Sequence, residues 1–224
     1  MRRRTMPARH LAVLALACCA GTAQAGRHGV EDAEILRRGE CELELTYDRL
    51  DGNTPLGQAE VSCRIGPVQL TGEAEHVRED EGSESQYAIE AKWSREVAEG
   101  WRAGVLLRGQ WSAHQRPRYD ATTVLGLLTW SPRENLDLHL NLGPEFLQEG
   151  GSRARWAIAP EWHVRPDLSL LAERYKIDGS HFVRGTVRWE AGHNWTLEVG
   201  RALRLAGPEP SRWTITVQID LDDD

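Results

Sequence analysis

The stretch Glu40–Ile65, ECELELTYDRLDGNTPLGQAEVSCRI, decides the fold because it has the pattern of a two-faced β-hairpin. Asp51-Gly52-Asn53 marks a tight turn at its middle. Folding the chain about Gly52 places Cys41 opposite Cys63, eleven residues away on either side. The same folding pairs apolar with apolar residues on one face and polar with polar residues on the other: Leu43 with Val61, Leu45 with Ala59, Glu44 with Glu60, and Glu42 with Ser62. The hairpin therefore predicts strands with one apolar and one polar face.

This alternation recurs along the chain to its C-terminus. Residues 136–142 have the sequence LDLHLNL, and residues 213–221 have the sequence WTITVQIDL. Strand six is ambiguous, because apolar residues lie on both of its faces between 124 and 128, and a proline at 160 falls inside strand eight. Ten strands therefore remain an alternative. We predict twelve, near 40–50, 56–65, 68–78, 86–95, 101–114, 121–130, 135–143, 153–164, 168–176, 182–190, 194–204 and 211–221.

The first 25 residues have the features of a cleaved signal peptide: four arginines, an apolar run at 11–20 and the small-x-small site Ala23-Gln24-Ala25. Its removal lowers the Lys and Arg count from 27 to 23, against 34 Asp and Glu, so that the remaining 199 residues carry a net charge of −11. This balance argues against nucleic acid as a partner. We predict 1–25 as signal peptide, 26–39 as a periplasmic segment with a short helix at 31–38, 40–221 as β-barrel and 222–224 as an acidic tail.

The two cysteines of the predicted mature chain are expected to form a disulfide. An exported chain meets an oxidising compartment, and Cys41 and Cys63 are directly opposed on paired strands. Opposed strand positions have Cβ atoms within about 5.5 Å, which a disulfide can bridge. The alternative is two unpaired thiols on the apolar face.

Two patterns favour a membrane barrel over a soluble β-sandwich. Short connections alternate with longer polar ones, as in outer-membrane barrels with short periplasmic turns. Six tryptophans adjoin the short turns, where amphipathic rings favour the headgroup level. We therefore predict an all-β, antiparallel up-and-down transmembrane β-barrel in the cell outer membrane, surrounded by lipid and inserted by the barrel-assembly machinery. The predicted aromatic girdle is Trp93, Trp101, Trp130, Trp162, Trp189 and Trp195.

The stretch from Glu31 through Gly39 to Glu44 resembles the start of a broad group of small proteobacterial outer-membrane barrels, the transporter-like, phenol-degradation-pathway type. This resemblance implies a small barrel and passive transport. An arginine-lined lumen is also similar to that of the twelve-stranded acidic-sugar channels. The C-terminus departs from the barrel pattern, because Leu221 and three aspartates stand where such barrels usually end in an aromatic residue.

The polar faces would line the lumen of such a barrel. Pairing about Gly66-Pro67 places Glu73 level with Glu60, and like charges in direct opposition need compensation. Strands one to three face strands seven to nine in a twelve-strand ring, so arginines of strand eight lie across from these glutamates. An acidic wall and an arginine wall would create a transverse field that filters solutes. The predicted pore-lining residues are Glu44, Glu60, Glu73, Arg102, Arg108, Arg153, Arg155, Arg184, Arg188 and Glu198.

We favour a narrow passive channel for small polar or charged solutes, with no enzyme activity, no cofactor and no metal site. Twelve strands fall between the roughly eight whose interior side chains can fill and the roughly sixteen that leave a channel, so a non-conducting structural or adhesive barrel is the first alternative. A lipid-modifying enzyme and a soluble periplasmic β-sandwich that binds a ligand are the others. The candidate groups for an enzyme are His76, His114, His181 and Ser180, none with a recognisable partner spacing.

Overall fold

A computed structural model describes residues 29–52, 54–79, 82–113, 116, 118–192 and 194–221. Twelve antiparallel strands pair in sequence order, and β1 pairs with β12 to close a barrel. The predicted up-and-down barrel of twelve strands is confirmed, and the ten-strand alternative is wrong. The strands are β1 Cys41–Leu50, β2 Pro55–Ile65, β3 Val68–Glu79, β4 Gly82–Ala98, β5 Trp101–Ser112, β6 Tyr119–Arg133, β7 Leu136–Leu147, β8 Ser152–Arg165, β9 Leu168–Ile177, β10 Ser180–Glu190, β11 Trp195–Ala206 and β12 Arg212–Asp220.

Several sequence predictions concern residues outside the described ranges. They are the signal peptide at 1–25, the acidic tail at 222–224 and His114. In the part of the chain that the structure describes, no helix could cross a membrane.

The barrel is polar inside and apolar outside. Glu44 in β1 and Asn141 in β7 are buried, whereas their outward neighbours Leu45 and Leu140 are 46% and 44% exposed. Successive side chains of a strand point to opposite faces, so the period-two pattern of the sequence becomes an inner polar wall and an outer apolar surface. This is the inverse of a soluble protein, which buries its apolar rows.

Strand β8 continues through Pro160 instead of ending at it. Pairing of β8 with β9 is interrupted between Ile158 and Glu161, because proline has no N–H to donate to the ladder. Pairing with β7 on the other side is retained, with Pro160 opposite Leu138. The proline therefore weakens one seam of the barrel locally without changing the register.

The disulfide predicted for the first hairpin is present. Cys41 and Cys63 lie opposite each other in the β1–β2 register and are bonded. The bond joins residues that are 22 positions apart, at the end of the hairpin away from its turn. The bond therefore restricts the conformations of the unfolded chain. The two strands that it joins are already paired in the barrel.

Replacing both cysteines by serine should leave the barrel intact but lower its stability. A closed loop of this size stabilises a folded chain by about 3 kcal/mol in the chain-entropy description. The measurement is denaturant unfolding of the barrel in detergent or liposomes, followed by tryptophan fluorescence. Reductant should destabilise the wild type to the same extent and leave the double variant unaffected; equal stability of both proteins would show that the bond is not stabilising.

Candidate functional site

Three glutamates lie level on neighbouring strands of the inner wall, as predicted. Glu44 of β1 is opposite Glu60 of β2, which is opposite Glu73 of β3. Arg108 of β5 reaches this row, with its Nη1 atom 2.6 Å from Glu73 and 3.8 Å from Glu90. Arg108 of β5, on the same side of the barrel, therefore compensates part of this charge.

The arginines of the facing wall are paired within that wall. Arg153 of β8 contacts Glu145 of β7 through its Nε atom. Arg188 of β10 contacts Glu198 of β11, and its Nη1 atom lies 2.8 Å from Glu161 of β8. These arginines are close to carboxylates of adjacent strands, so this wall is nearly neutral. The structure thus places Arg153 and Arg188 beside carboxylates of neighbouring strands and does not set an arginine wall against an acidic one.

The other predicted arginines occupy three separate places. Arg184 is fully buried, and its Nε atom lies 3.4 Å from Glu173. Arg102 lies 3.6 Å from Glu34 of the N-terminal chain. Arg155 lines the central cavity, and its Nε atom has no hydrogen-bond partner among the described residues. Of these three, only Arg155 faces the open space of the lumen.

The lumen also contains a segment that the sequence analysis did not place there. We call residues 29–39 the N-terminal segment; it enters the barrel as far as residue 36, whereas 37–39 are exposed. Ala33 is fully buried in a cluster with Leu106, Leu125 and Leu127. These three leucines lie on the inner faces of β5 and β6, where polar residues would be expected. The apolar residues on both faces of strand six were the sequence signal for this contact.

Side chains of the barrel wall bind the backbone of the N-terminal segment. Asn141 accepts a hydrogen bond from the N–H of Glu31 and donates one to its carbonyl oxygen, both at 2.6 Å. Thr129 and Gln69 accept further N–H groups of the segment at 2.8 and 2.9 Å. The helix predicted at 31–38 is wrong, since these bonds replace the i→i−4 bonds that a helix requires.

Charged side chains hold the same segment. The ammonium group of Lys92, which is buried in the wall, lies 3.3 Å from Asp32 and 3.8 Å from Glu31. The pKa of Glu34 is raised from its ordinary value of 4.5 to about 7. Burial is the main cause and the Asp32 carboxylate the second, whereas the positive charge of Arg102 lowers the pKa. A raised carboxyl pKa means that the bound segment favours protonated Glu34. The Glu34 carboxyl by itself therefore favours attachment less as the pH rises towards 7.

The segment begins against an aromatic ring. A Cβ atom at Gly29 would lie 2.0 Å from Cγ of Tyr175. Tyr175 is itself buried and stacks on Phe182 with ring centroids 5.1 Å apart. Val30 joins the same buried cluster. Glycine at this position therefore allows the backbone to lie directly on the ring.

A cavity remains between the N-terminal segment and the walls. The centre of a water-sized sphere can reach about 70 Å³ of it, several times the roughly 10–15 Å³ that one water needs. Its lining includes Glu44, Glu60 and Glu73 together with Arg108 and Arg155. The space is therefore polar and large enough for several waters, but narrow.

The six predicted girdle tryptophans lie outside the lumen. Five of them lie near the short turn that they were predicted to adjoin, whereas Trp93 pairs with Val105 in β5 and lies opposite Val68, beside the β2–β3 turn. Trp101 and Trp130 stack with centroids 5.1 Å apart, and Trp189 and Trp195 meet edge to face at 6.4 Å. Trp93, Trp130, Trp162, Trp189 and Trp195 are 37–50% exposed. Their role at a membrane interface stays a prediction.

Two histidines of the barrel wall, His139 and His163, are hydrogen-bonded to neighbouring strands. His163 lies 2.8 Å from both Ser169 and Asp137, and His139 lies 3.2 Å from Glu161. Ser169 is 8% exposed, and its hydroxyl links β9 to β8 through His163. No group of three or more His, Cys, Asp or Glu side chains is arranged to hold a metal ion within the described ranges.

Comparison with known proteins identifies a family and a fold. A family model described as "Uncharacterised conserved protein UCP029691" matches residues 12–213. No curated protein matches the chain. The solved structures described next are 10–11% identical to this chain, and at such low identity a structural likeness shows the fold alone.

Three solved outer-membrane barrels illustrate the fold. The KdgM porin has a TM-score of 0.68 at 11% identity, over 81% of this chain and 99% of that one; a second structure of it is described as a complex with disordered oligogalacturonate. The COG4313 outer membrane channel from Pseudomonas putida F1 has a TM-score of 0.62 at 11% identity, covering 85% and 98%. Outer membrane phospholipase A from Escherichia coli has a TM-score of 0.52 at 10% identity, covering 83% and 97%.

Substituting Gly29 by valine should displace the start of the N-terminal segment, because the added side chain would overlap the ring of Tyr175. A Val30→Cys reporter, buried in the wild-type arrangement, should react slowly with a maleimide, and faster when Gly29→Val is added. Gly57→Val is the matched control, since a Cβ atom at Gly57 meets nothing within 4 Å. Equal labelling rates in the Gly29 and Gly57 variants would contradict the bound position of the segment.

Proposed function

We propose that the chain, which belongs to the family described as uncharacterised conserved protein UCP029691, is an outer-membrane β-barrel that forms a narrow passive channel for small polar or charged solutes. The observation that carries this proposal is a polar, charged cavity enclosed by a barrel whose outer surface is apolar. Rings of charged side chains inside a pore select solutes by charge.

The outer surface supports a membrane location. Large apolar side chains such as Leu142, Ile89 and Trp213 are more than half exposed, and a soluble protein rarely exposes so continuous an apolar surface. A closed barrel also leaves no sheet edge unpaired, which the bilayer interior requires. The KdgM and COG4313 barrels, described as a porin and an outer membrane channel, have the same architecture.

The N-terminal segment sets the width of the proposed channel. It crosses the lumen between Asn141 on β7 and Gln69 on β3, so that a solute moving along the barrel axis would pass beside it. A channel of this kind would admit water, ions and small polar molecules and exclude larger ones.

A non-conducting structural barrel is the second candidate, and one observation favours it. Arg184 and Glu173 have side chains with 0% exposure, so part of the lumen is filled by an ion pair that no solute can reach. Conductance separates the two candidates, because a filled barrel passes no current.

Removing residues 29–36 from the mature protein should raise its single-channel conductance in planar lipid bilayers, since the segment occupies lumen that ions would otherwise fill. The wild type should show small, steady conductance steps, and the truncated protein larger ones. Retained resistance to heat denaturation would show that the barrel still folds without the segment. Absence of current from both proteins would favour the structural barrel.

Arginine at Leu140 should impair folding into lipid. A cationic side chain on the lipid face costs roughly 2–4 kcal/mol at the bilayer midplane and about 0–1 kcal/mol near the interfaces. Val97→Arg is the matched control, since Val97 is also exposed, at 51%, but lies beside a short turn. Unfolding in liposomes measures both variants. Equal stability of the two would mean that Leu140 does not face the bilayer core.

A further inference from the structure

We propose that the outward faces of β8, β9 and β10 form a binding site for the phosphorylated headgroup of a lipid in the outer leaflet of the membrane. The site, which we call the basic patch, consists of Trp156, Arg174, Lys176 and His181. It lies on the outer surface of the barrel. This inference therefore goes beyond the proposed channel and does not depend on whether the lumen conducts.

The side chains of the basic patch lie side by side on three neighbouring strands. Lys176 of β9 is opposite Trp156 of β8 on one side and opposite His181 of β10 on the other. Arg174 lies on the same face of β9, two positions away. This face points outward, because Tyr175, which lies between the two cationic residues in the sequence, is buried inside the barrel. The patch therefore presents a guanidinium group, an ammonium group and an imidazole to the surroundings of the barrel.

The positive charge of the basic patch is not balanced on its own surface. Strands β8, β9 and β10 are described in full, and none of their outward positions is an Asp or Glu. Asp178, in the turn that follows β9, lies 2.6 Å from Nη2 of Arg153. Glu173 of β9 lies inside the barrel, close to Arg184. An anionic group from outside the chain would therefore compensate the charge of the patch, and phosphate is an anion that both arginine and lysine bind well.

The basic patch lies near the end of the barrel that is away from the short turns. Lys176 directly precedes Ile177, the last residue of β9. Trp156 and Trp162 of β8 are separated by about 20 Å along the strand, at about 3.3 Å per residue, and Trp162 is near a short turn. Because short turns are periplasmic in outer-membrane barrels, we expect the patch at the outer leaflet. A cationic side chain on a lipid-facing surface is tolerated near such an interface.

Arg174 is held in an orientation suited to an anionic ligand. Its Nη1 atom donates a hydrogen bond to the carbonyl oxygen of Phe182 at 2.9 Å, and its Cζ atom lies 5.8 Å from the ring centroid of Trp156. A guanidinium group has five N–H donors, more than the bond to Phe182 uses. The ring of His181 lies 6.1 Å from that of Trp156, and its Nδ1 atom has no hydrogen-bond partner among the described residues. A phosphate group over β9 would thus accept hydrogen bonds from Arg174 and Lys176.

The surface between the basic patch and the short turns favours a lipid over a free phosphate ion. Ala172 and Gly185 are opposite each other next along β9 and β10, and a Cβ atom at Gly185 would meet nothing within 4 Å. Further towards the short turns is a largely apolar groove of about 330 Å³, lined by Arg165, Leu168, Val187, Trp189, Leu197 and Val199. Acyl chains attached to a phosphate at the patch would extend over Gly185 towards this groove and lie on apolar surface.

The experiment titrates the purified mature barrel in detergent with lipid A that carries two phosphates, and counts the bound lipid by native mass spectrometry. We expect this lipid to bind more tightly than a diacylglycerol, which has no phosphate. Lys176→Gln should weaken the binding of lipid A about fivefold, the effect of one cationic side chain near anionic headgroups. Arg174→Gln should also weaken it, whereas Lys176→Arg, which keeps the charge, should bind lipid A as the wild type does.

Arg95→Gln is the matched control, because Arg95 is also exposed but lies at the end of the barrel with the short turns. Heat-dependent gel mobility shows that each variant is folded. Equal affinity of the wild type and Lys176→Gln for lipid A, or equal binding of lipid A and diacylglycerol, would overturn the inference. Displacement of bound lipid A by inorganic phosphate would also overturn it, since the patch would then be a site for the free ion. None of these outcomes bears on the channel function, because binding is measured without current.

Discussion

The structure depends on the closure of the sheet by pairing β1 with β12. β1 and β12 pair from Glu42, opposite Asp220, to Leu50, opposite Arg212. The first and last strands are thereby joined, so that no edge of the barrel is left open. Closure turns the two faces of each strand into an inside and an outside. The alternation seen in the first hairpin then decides the chemistry of both surfaces. A shift of one residue in any seam would place carboxylates on the outer surface and leucines in the lumen.

The inner wall must satisfy the many charges that this closure confines. Most of the arginines achieve this with carboxylates of neighbouring strands, as Arg188 does between Glu161 and Glu198. The backbone of the N-terminal segment supplies hydrogen-bond partners for the side chains of Asn141 and Thr129.

Much of this arrangement could be predicted from the sequence, because period two and turn residues are local signals. They determined the strands, the Cys41–Cys63 opposition and the level row of Glu44, Glu60 and Glu73. The N-terminal segment could not be predicted in the same way. Residues 31–38 have good helix formers, and only the inward leucines at 125 and 127 indicated that something apolar lies in the lumen. The carboxylate partner of each arginine could not be predicted from the sequence either, since it depends on side-chain rotamers and on the distance across the barrel.

The central claim is a closed barrel in a membrane, with polar residues inside and apolar residues facing lipid. The most direct measurement compares boiled with unboiled samples of the outer-membrane fraction by gel electrophoresis. We predict that the protein is found in that fraction and that the unboiled form migrates differently from the boiled form, because a closed barrel resists detergent unfolding until heated. Recovery of the protein in the soluble periplasmic fraction, with the same mobility before and after boiling, would contradict the account.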